Sequence, residues 1–397
     1  MKKSLIAIAI AAFAASSANA ATVYDKNGTK LDIGGRVQAV WHSTHYDDYM
    51  VADGDQSVAN SARLNIAGRT EIANGISGFG FTEWDTTDSN GTNGAYDSFS
   101  TREQYVGVDF GKFGTVTAGR TYDAVKSVVE TTDIFEDYGC VGQLGSDDRR
   151  SGTVRYNWSG YGFDLGASYG FAVNNAAVGG SFAGEDKDEM NINNSFSVMA
   201  GWTSPDVLFG PISVKAGYAY LRGQNDNGAK SSYYERDDEG DLVKNDHDEL
   251  VPDAYDRNMR EFAAAITWGS LDSGLYAGVM YDGRRFSVVD GIGNEHHYSR
   301  KGVEAVVNYA WDCGISLAAG YEYNQLSIDG GNGFGKYDHS SAAARKVPVY
   351  LNYAANENFN VWAEAQFDAG SDDEGFGSDV GGITDDALYA VGARYTF

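Results

Sequence analysis

The chain has 397 residues, with 56 Asp and Glu against 30 Lys and Arg and a formal charge of −26, a balance that repels nucleic acid. Only 42% of its residues are hydrophobic, and beyond the first twenty none of its apolar stretches approaches the eighteen residues that a membrane-crossing helix needs. Fifty glycines, 26 tyrosines and 19 phenylalanines beside 4 prolines favour strands and turns, so the expected class is all-β.

The N-terminus carries Lys2 and Lys3, then an apolar run from Leu5 to Ala14, then Ala18-Asn19-Ala20. This order of charge, apolar run and small-x-small site predicts a secretory signal peptide over 1–20, too short to be a membrane anchor. The exported chain then begins at Ala21 with 28 basic and 56 acidic side chains, a formal −28. Two cysteines in a chain of this size make no disulfide framework, and Cys140 and Cys313 are expected to be free.

From there the dominant signal is period-two alternation in segments of nine to twelve residues, the length a tilted strand needs to cross a bilayer. Phe163, Leu165, Ala167, Tyr169 and Phe171 share one face; Asp164, Gly166, Ser168 and Gly170 share the other. The same reading places strands at 30–44, 60–72, 76–86, 100–110, 113–120, 150–158, 162–172, 193–203, 210–222, 257–268, 273–284, 298–310, 314–325, 343–354, 358–368 and 385–397. Short turns, such as Ala73 to Gly75, alternate with long polar loops, such as 121–149 and 223–256. That asymmetry, with aromatic residues near strand ends (Trp158, Trp202, Tyr220, Trp268, Tyr281), fits a closed membrane barrel better than a soluble sandwich. The last strand sets Ala387, Tyr389, Val391, Ala393, Tyr395 and Phe397 on its outward face and ends on an aromatic residue.

Five segments in order carry a resemblance: A-T-V-Y-D-K-N-G-T-K-L-D-I-G-G-R from Ala21, A-R-L-N-I-A-G-R-T-E from Ala62, G-F-G-F-T-E-W from Gly78, F-G-T-V-T-A-G-R-T-Y-D from Phe113 and T-T-D-I-F-E-D-Y-G from Thr131. The chain resembles the general porins of Gram-negative outer membranes, enterobacterial type, motif-dense over 21–156 and again at the last strand. The resemblance implies a sixteen-stranded antiparallel transmembrane β-barrel over 21–397 whose long third loop, 121–149, folds into the lumen. It implies a homotrimer that passes ions and small hydrophilic solutes, sits among outer-membrane lipid and lipopolysaccharide, and is handled by the barrel assembly machinery through Phe397. It carries over a basic ladder, Arg36, Arg63, Arg102 and Arg149, opposed by Asp133 and Asp137 on the loop and by Glu83 on the wall. Arg36 stands where such porins often have lysine.

Strand phase places Arg63 and Arg149 toward water, Arg150 out of phase, and Glu103 on the outward side. Other constellations are weaker. His42, His45, Asp47 and Asp48 fix no metal geometry, and His297 with Ser299 lacks a third catalytic partner, so neither a cofactor nor an enzyme is expected. Acid clusters such as Asp237, Asp238, Glu239 and Asp241, or Asp372, Asp373 and Glu374, read as solvated loop charge or as divalent bridges to lipopolysaccharide. Their excess at the mouth predicts a modest cation preference. A sugar- or phosphate-specific pore, or a plugged barrel acting as adhesin or receptor, are the alternatives.

Overall fold

A computed structural model describes residues 20–43, 57–88, 98–145, 149–179, 189–224, 255–289, 295–329, 341–371 and 387–397. Nearly all of the expected signal peptide, His45, Asp47, Asp48, His247, His339 and the acid clusters at 237–241 and 372–374 lie outside these residues. The strands are β1 (Ala21–Lys26), β2 (Thr29–His42), β3 (Ser57–Ala73), β4 (Ile76–Asp88), β5 (Ser98–Asp109), β6 (Thr115–Thr121), β7 (Arg150–Gly160), β8 (Phe163–Gly170) and β9 (Val173–Ala177). They continue with β10 (Glu189–Val207), β11 (Gly210–Gly223), β12 (Tyr255–Gly269), β13 (Gly274–Val289), β14 (Glu295–Ala310), β15 (Ile315–Asp329), β16 (Ser341–Asn356), β17 (Phe359–Asp368) and β18 (Leu388–Thr396).

Antiparallel pairing runs from β2 through β8, crosses to β10, continues to β18 and returns to β2, which closes a ring of sixteen staves. At the seam Gly35 N donates to Phe397 O and Phe397 N donates to Gly35 O, both at 2.9 Å. Two short strands add to the ring. β9 pairs with the start of β10, and β1 folds back on β2. The β1–β2 hairpin turns on Asn27 and Gly28, both at positive φ (56° and 74°), as a two-residue Asn-Gly turn requires. The expected first strand at 30–44 therefore has a partner before it, and the Asn-Gly pair is what encodes it.

Burial is inverted relative to a water-soluble protein. Val198 is 50% exposed beside Ser197 at 1%, and Val307 is 46% exposed three residues along β14 from Glu304 at 0%. Hydrocarbon on the outside makes the apolar face free to be exposed, while every inner polar group must find a partner or water. Among the described residues no helix is long and apolar enough to cross a bilayer. At the short-turn rim, Trp158 Nε1 donates to Lys112 O (3.0 Å) and Trp268 Nε1 to Val207 O (2.8 Å), so the rings cover the outside while their N–H groups satisfy turn carbonyls.

The inner face is not uniformly wet, contrary to what strict alternation predicts. Met199, Leu221, Met259, Ala263 and Met280 point inward and pack with Ala124, Val125, Val128 and Val129 of the segment between β6 and β7. Replacing outward Val279 by Arg should cost about 2–4 kcal/mol of stability if the residue lies near the bilayer midplane, whereas inward Asp164→Asn should change it by less than about 0.5 kcal/mol. Urea unfolding in lipid vesicles, followed by tryptophan fluorescence, measures both.

Candidate functional site

Between β6 and β7 the chain makes a helical turn at Lys126–Val129, a 3-10 turn at Glu130–Thr132 and then an irregular run of bends and turns along the inner wall. Carboxylates from four staves hold that run by its backbone. Glu364 on β17 accepts from the amides of Glu136 (2.9 Å), Asp137 (3.1 Å) and Tyr138 (2.6 Å). Glu322 on β15 accepts from the Cys140 amide at 2.9 Å. Glu304 on β14 accepts from the Gly142 amide (2.9 Å), from Gln143 Nε2 (3.1 Å) and from the Thr132 hydroxyl. Asp282 on β13 accepts from the Leu144 amide at 3.0 Å. A loop without ladder partners has orphan amides and a buried carboxylate has orphan lone pairs, so each satisfies the other. Gly302 permits the approach: a Cβ there would lie 1.8 Å from the Gly142 carbonyl oxygen.

On the opposite arc of the wall, β2 to β7, the basic residues gather. Arg63 forms a two-pronged pair with Asp85, Nε to Oδ1 at 2.9 Å and Nη2 to Oδ2 at 3.0 Å. Arg102 donates to Glu83 (Nε, 3.0 Å) and to the same Asp85 (Nη1, 2.7 Å). Arg36 lies directly across from Arg63 in the ladder, within electrostatic reach of Arg394, Glu136 and Asp85. Arg149 is buried, with its guanidinium 5.1 Å from the Tyr122 ring centre.

Two local irregularities correct the phase read from sequence. Glu83 pairs with Glu103 but Trp84 pairs with Thr101, so Arg102 is the extra residue of a bulge. The bulge lets Arg102 and Glu103 both face inward, where Glu103 accepts from the Thr121 hydroxyl at 2.7 Å, and it leaves Gln104 and Val106 outside. Glu103 is thus an inner residue. Similarly, Gly152 at φ 69° and the register shift between Gly119 and Thr121 break the alternation of β7. Arg150 also turns in and pairs with Asp123 at 2.8 Å.

The loop carboxylates divide. Asp133 remains exposed, with Lys126 Nζ at 4.0 Å and the Cys140 thiol donating at 3.2 Å. Asp137 is directed at β17 and β2, where it accepts from Trp362 Nε1 (2.7 Å) and contacts His42 Nε2 (3.3 Å). Glu136 instead meets the wall cation Arg394, with Nη1 at 2.8 Å. Burial among Asp133, Glu304 and Glu322 pushes the Cys140 thiol well up, and both cysteines are free. The sequence reading thus missed Asp85, Asp123, Arg150 and Arg394. Parity alone could have found Asp85, two residues after Glu83 on one face.

The comparisons with known proteins agree with this geometry. A family model described as "Gram-negative porin" matches residues 7–243. Outer membrane porin F of Salmonella typhi is 26% identical over 410 residues, covering 100% of both chains. The solved Salmonella typhi OmpF complex with Daunomycin superposes with a TM-score of 0.68 at 19% identity, over 95% of this chain and 100% of that one. The trimer form of in-vitro folded OmpT, an outer membrane protein of Vibrio cholerae, gives 0.61 at 16% identity, over 93% and 100%. The chain belongs to the Gram-negative porin family, the channel proteins of the outer membrane.

Proposed function

We propose that this porin conducts ions and small hydrophilic solutes passively past a constriction formed by 122–145 and the arginine-bearing wall, as a homotrimer with a modest preference for cations. The observation that carries the ionic part is the pairing of the wall arginines. Arg63 and Arg102 share Glu83 and Asp85, Arg150 has Asp123, and Arg394 has Glu136. A guanidinium matched by a carboxylate presents a dipole to the lumen, not a net charge, so these positions add little net anion attraction. Arg36 and Arg149 stand against exposed Glu130 and Asp133, so the narrowing comes close to balance and the preference for cations rests on the chain's overall −26.

Passive conduction requires polar groups that bind a passing ion weakly and in succession. Paired charges on one arc and carboxylates latched to a loop on the other supply a transverse field, so cations and anions follow different sides of the opening. An apolar solute meets ordered water at both and must displace it. The hydrogen-bonded pairs also stiffen the opening, since withdrawing either partner strands a charge in a narrow space.

Asp85 is the most informative position because it serves two arginines. Asp85→Asn removes one negative charge and leaves Arg63 and Arg102 to share Glu83, so the reversal potential under a KCl gradient should move toward anions. A unit charge about 7 Å from the ion path in water is worth ~0.6 kcal/mol, about 2.7-fold in permeability ratio, and this is the size expected per charge. Arg63→Ser should move it the other way, toward cations. In the wild type, preference for cations should be larger at 0.1 M salt, where the Debye length is about 10 Å, than at 1 M, where it is about 3 Å. For the oligomer, electrophoresis in mild detergent before and after boiling should show a trimer-sized band collapsing to a monomer.

A further inference from the structure

The outside of the barrel carries a basic recess that no part of the conduction pathway uses. On β11 to β14 the outward positions include Tyr218, Phe262 and Tyr281, with the Phe262 and Tyr281 rings 6.4 Å apart, as in an aromatic girdle. Further toward the long-loop ends, ladder pairing aligns Tyr220, Arg260, Arg285 and Ser299 in one outward row. The next outward row is Arg222, Asn258, Ser287 and His297. All residues of these two rows but Ser299, together with Arg257 and Glu295, line a cavity of about 560 Å³. At the rim of the cavity Arg257 is already paired with Glu295 at 2.6 Å, and Ser287 Oγ lies 3.1 Å from His297 Nδ1.

Arg222, Arg260 and Arg285 have no ion pair among the described residues. Arg260 and Arg285 are direct cross-strand neighbours, and like charges in that relation repel. A chain with an excess of 26 negative charges places them together all the same. An anion seated between them removes the repulsion, and guanidinium forks match a phosphate's oxygens two at a time. The recess opens on the outer side of the wall, so a solute in the lumen does not meet it. Its occupant has to come from the plane of the membrane. Two to four residues beyond the aromatic rings, on strands tilted about 45°, the arginines stand roughly 5–10 Å above the girdle, at the depth of head-group phosphates. The long-loop end faces the cell exterior in bacterial barrels, so those head groups belong to the outer leaflet.

We propose that the outward face of β11–β14 binds a phosphate monoester of an outer-leaflet glycolipid directly through Arg222, Arg260 and Arg285, with no bridging divalent cation. The inference rests on the outer-membrane placement of the barrel and is independent of how the lumen selects ions.

The test uses the full-length protein in detergent with a chelator present and three probes: bisphosphorylated lipid A, the same lipid A after phosphatase treatment, and inorganic phosphate. Fluorescently labelled lipid A should bind, and the dephosphorylated form should bind at least about tenfold more weakly. The Arg260→Ser/Arg285→Ser variant should lose a similar factor while its single-channel conductance stays at the wild-type value. Arg260→Lys/Arg285→Lys, which keeps charge but loses the fork, should fall between. Equal binding of both lipid A forms, a requirement for added calcium, or displacement of lipid A by inorganic phosphate at equal concentration would each overturn the proposal. The comparison of the two lipid A forms uses only wild-type protein, so it decides the matter even if a variant fails to fold. A wild type that binds lipid A but carries no current would count against the channel reading instead.

Discussion

Every feature of this molecule follows from one constraint: a peptide group facing hydrocarbon has no water to bond. An open sheet edge in that medium leaves a row of N–H and C=O groups unpaired at several kcal/mol each, so the strands must close. Here closure is made by β18 against β2 and is finished by the reciprocal bonds of Gly35 and Phe397. Period-two geometry then gives each stave one face for lipid and one for the lumen, and the amino-acid pattern has only to respect that division.

The same rule applied to the interior explains the loop. A long connection entering a lumen brings amides that have lost their ladder partners. The wall meets them with Asp282, Glu304, Glu322 and Glu364, each on a different stave. An apolar patch around Met199, Leu221, Met259 and Met280 receives the loop's own Val125, Val128 and Val129. The loop is thereby held by two kinds of contact at once. The opening left beside it is bounded on the other arc by Arg63 and Arg102, whose charge is matched at short range.

Much of this was legible in the sequence, and the reasons are physical. Alternation is a property of neighbouring residues, so sixteen staves and their outward faces could be read one segment at a time. Non-local partnerships could not. Asp282, Glu304, Glu322 and Glu364 are separated from the loop amides they bind by 138 to 228 positions, and in the sequence they look like any wet face. Asp85 shares a face with Glu83, yet its bond to two arginines depends on how β3, β4 and β5 align. The misread phases of Glu103 and Arg150 share one cause. A bulge at Arg102 and a left-handed Gly152 each shift the count by one, and parity propagates such a slip to every later residue of the strand. The unexpected β1 hairpin was carried by Asn27-Gly28, a local signal overshadowed by the stave that follows it.

In the proposed channel the closed ring encloses a water-filled path that the loop narrows but does not seal. Single-channel recording of the purified wild-type protein in a planar bilayer tests it most directly. Stepwise, ohmic conductance that scales with bulk salt, with closures in groups of three, is the predicted result. A barrel that inserts and remains folded yet adds no current to the bare bilayer would contradict it.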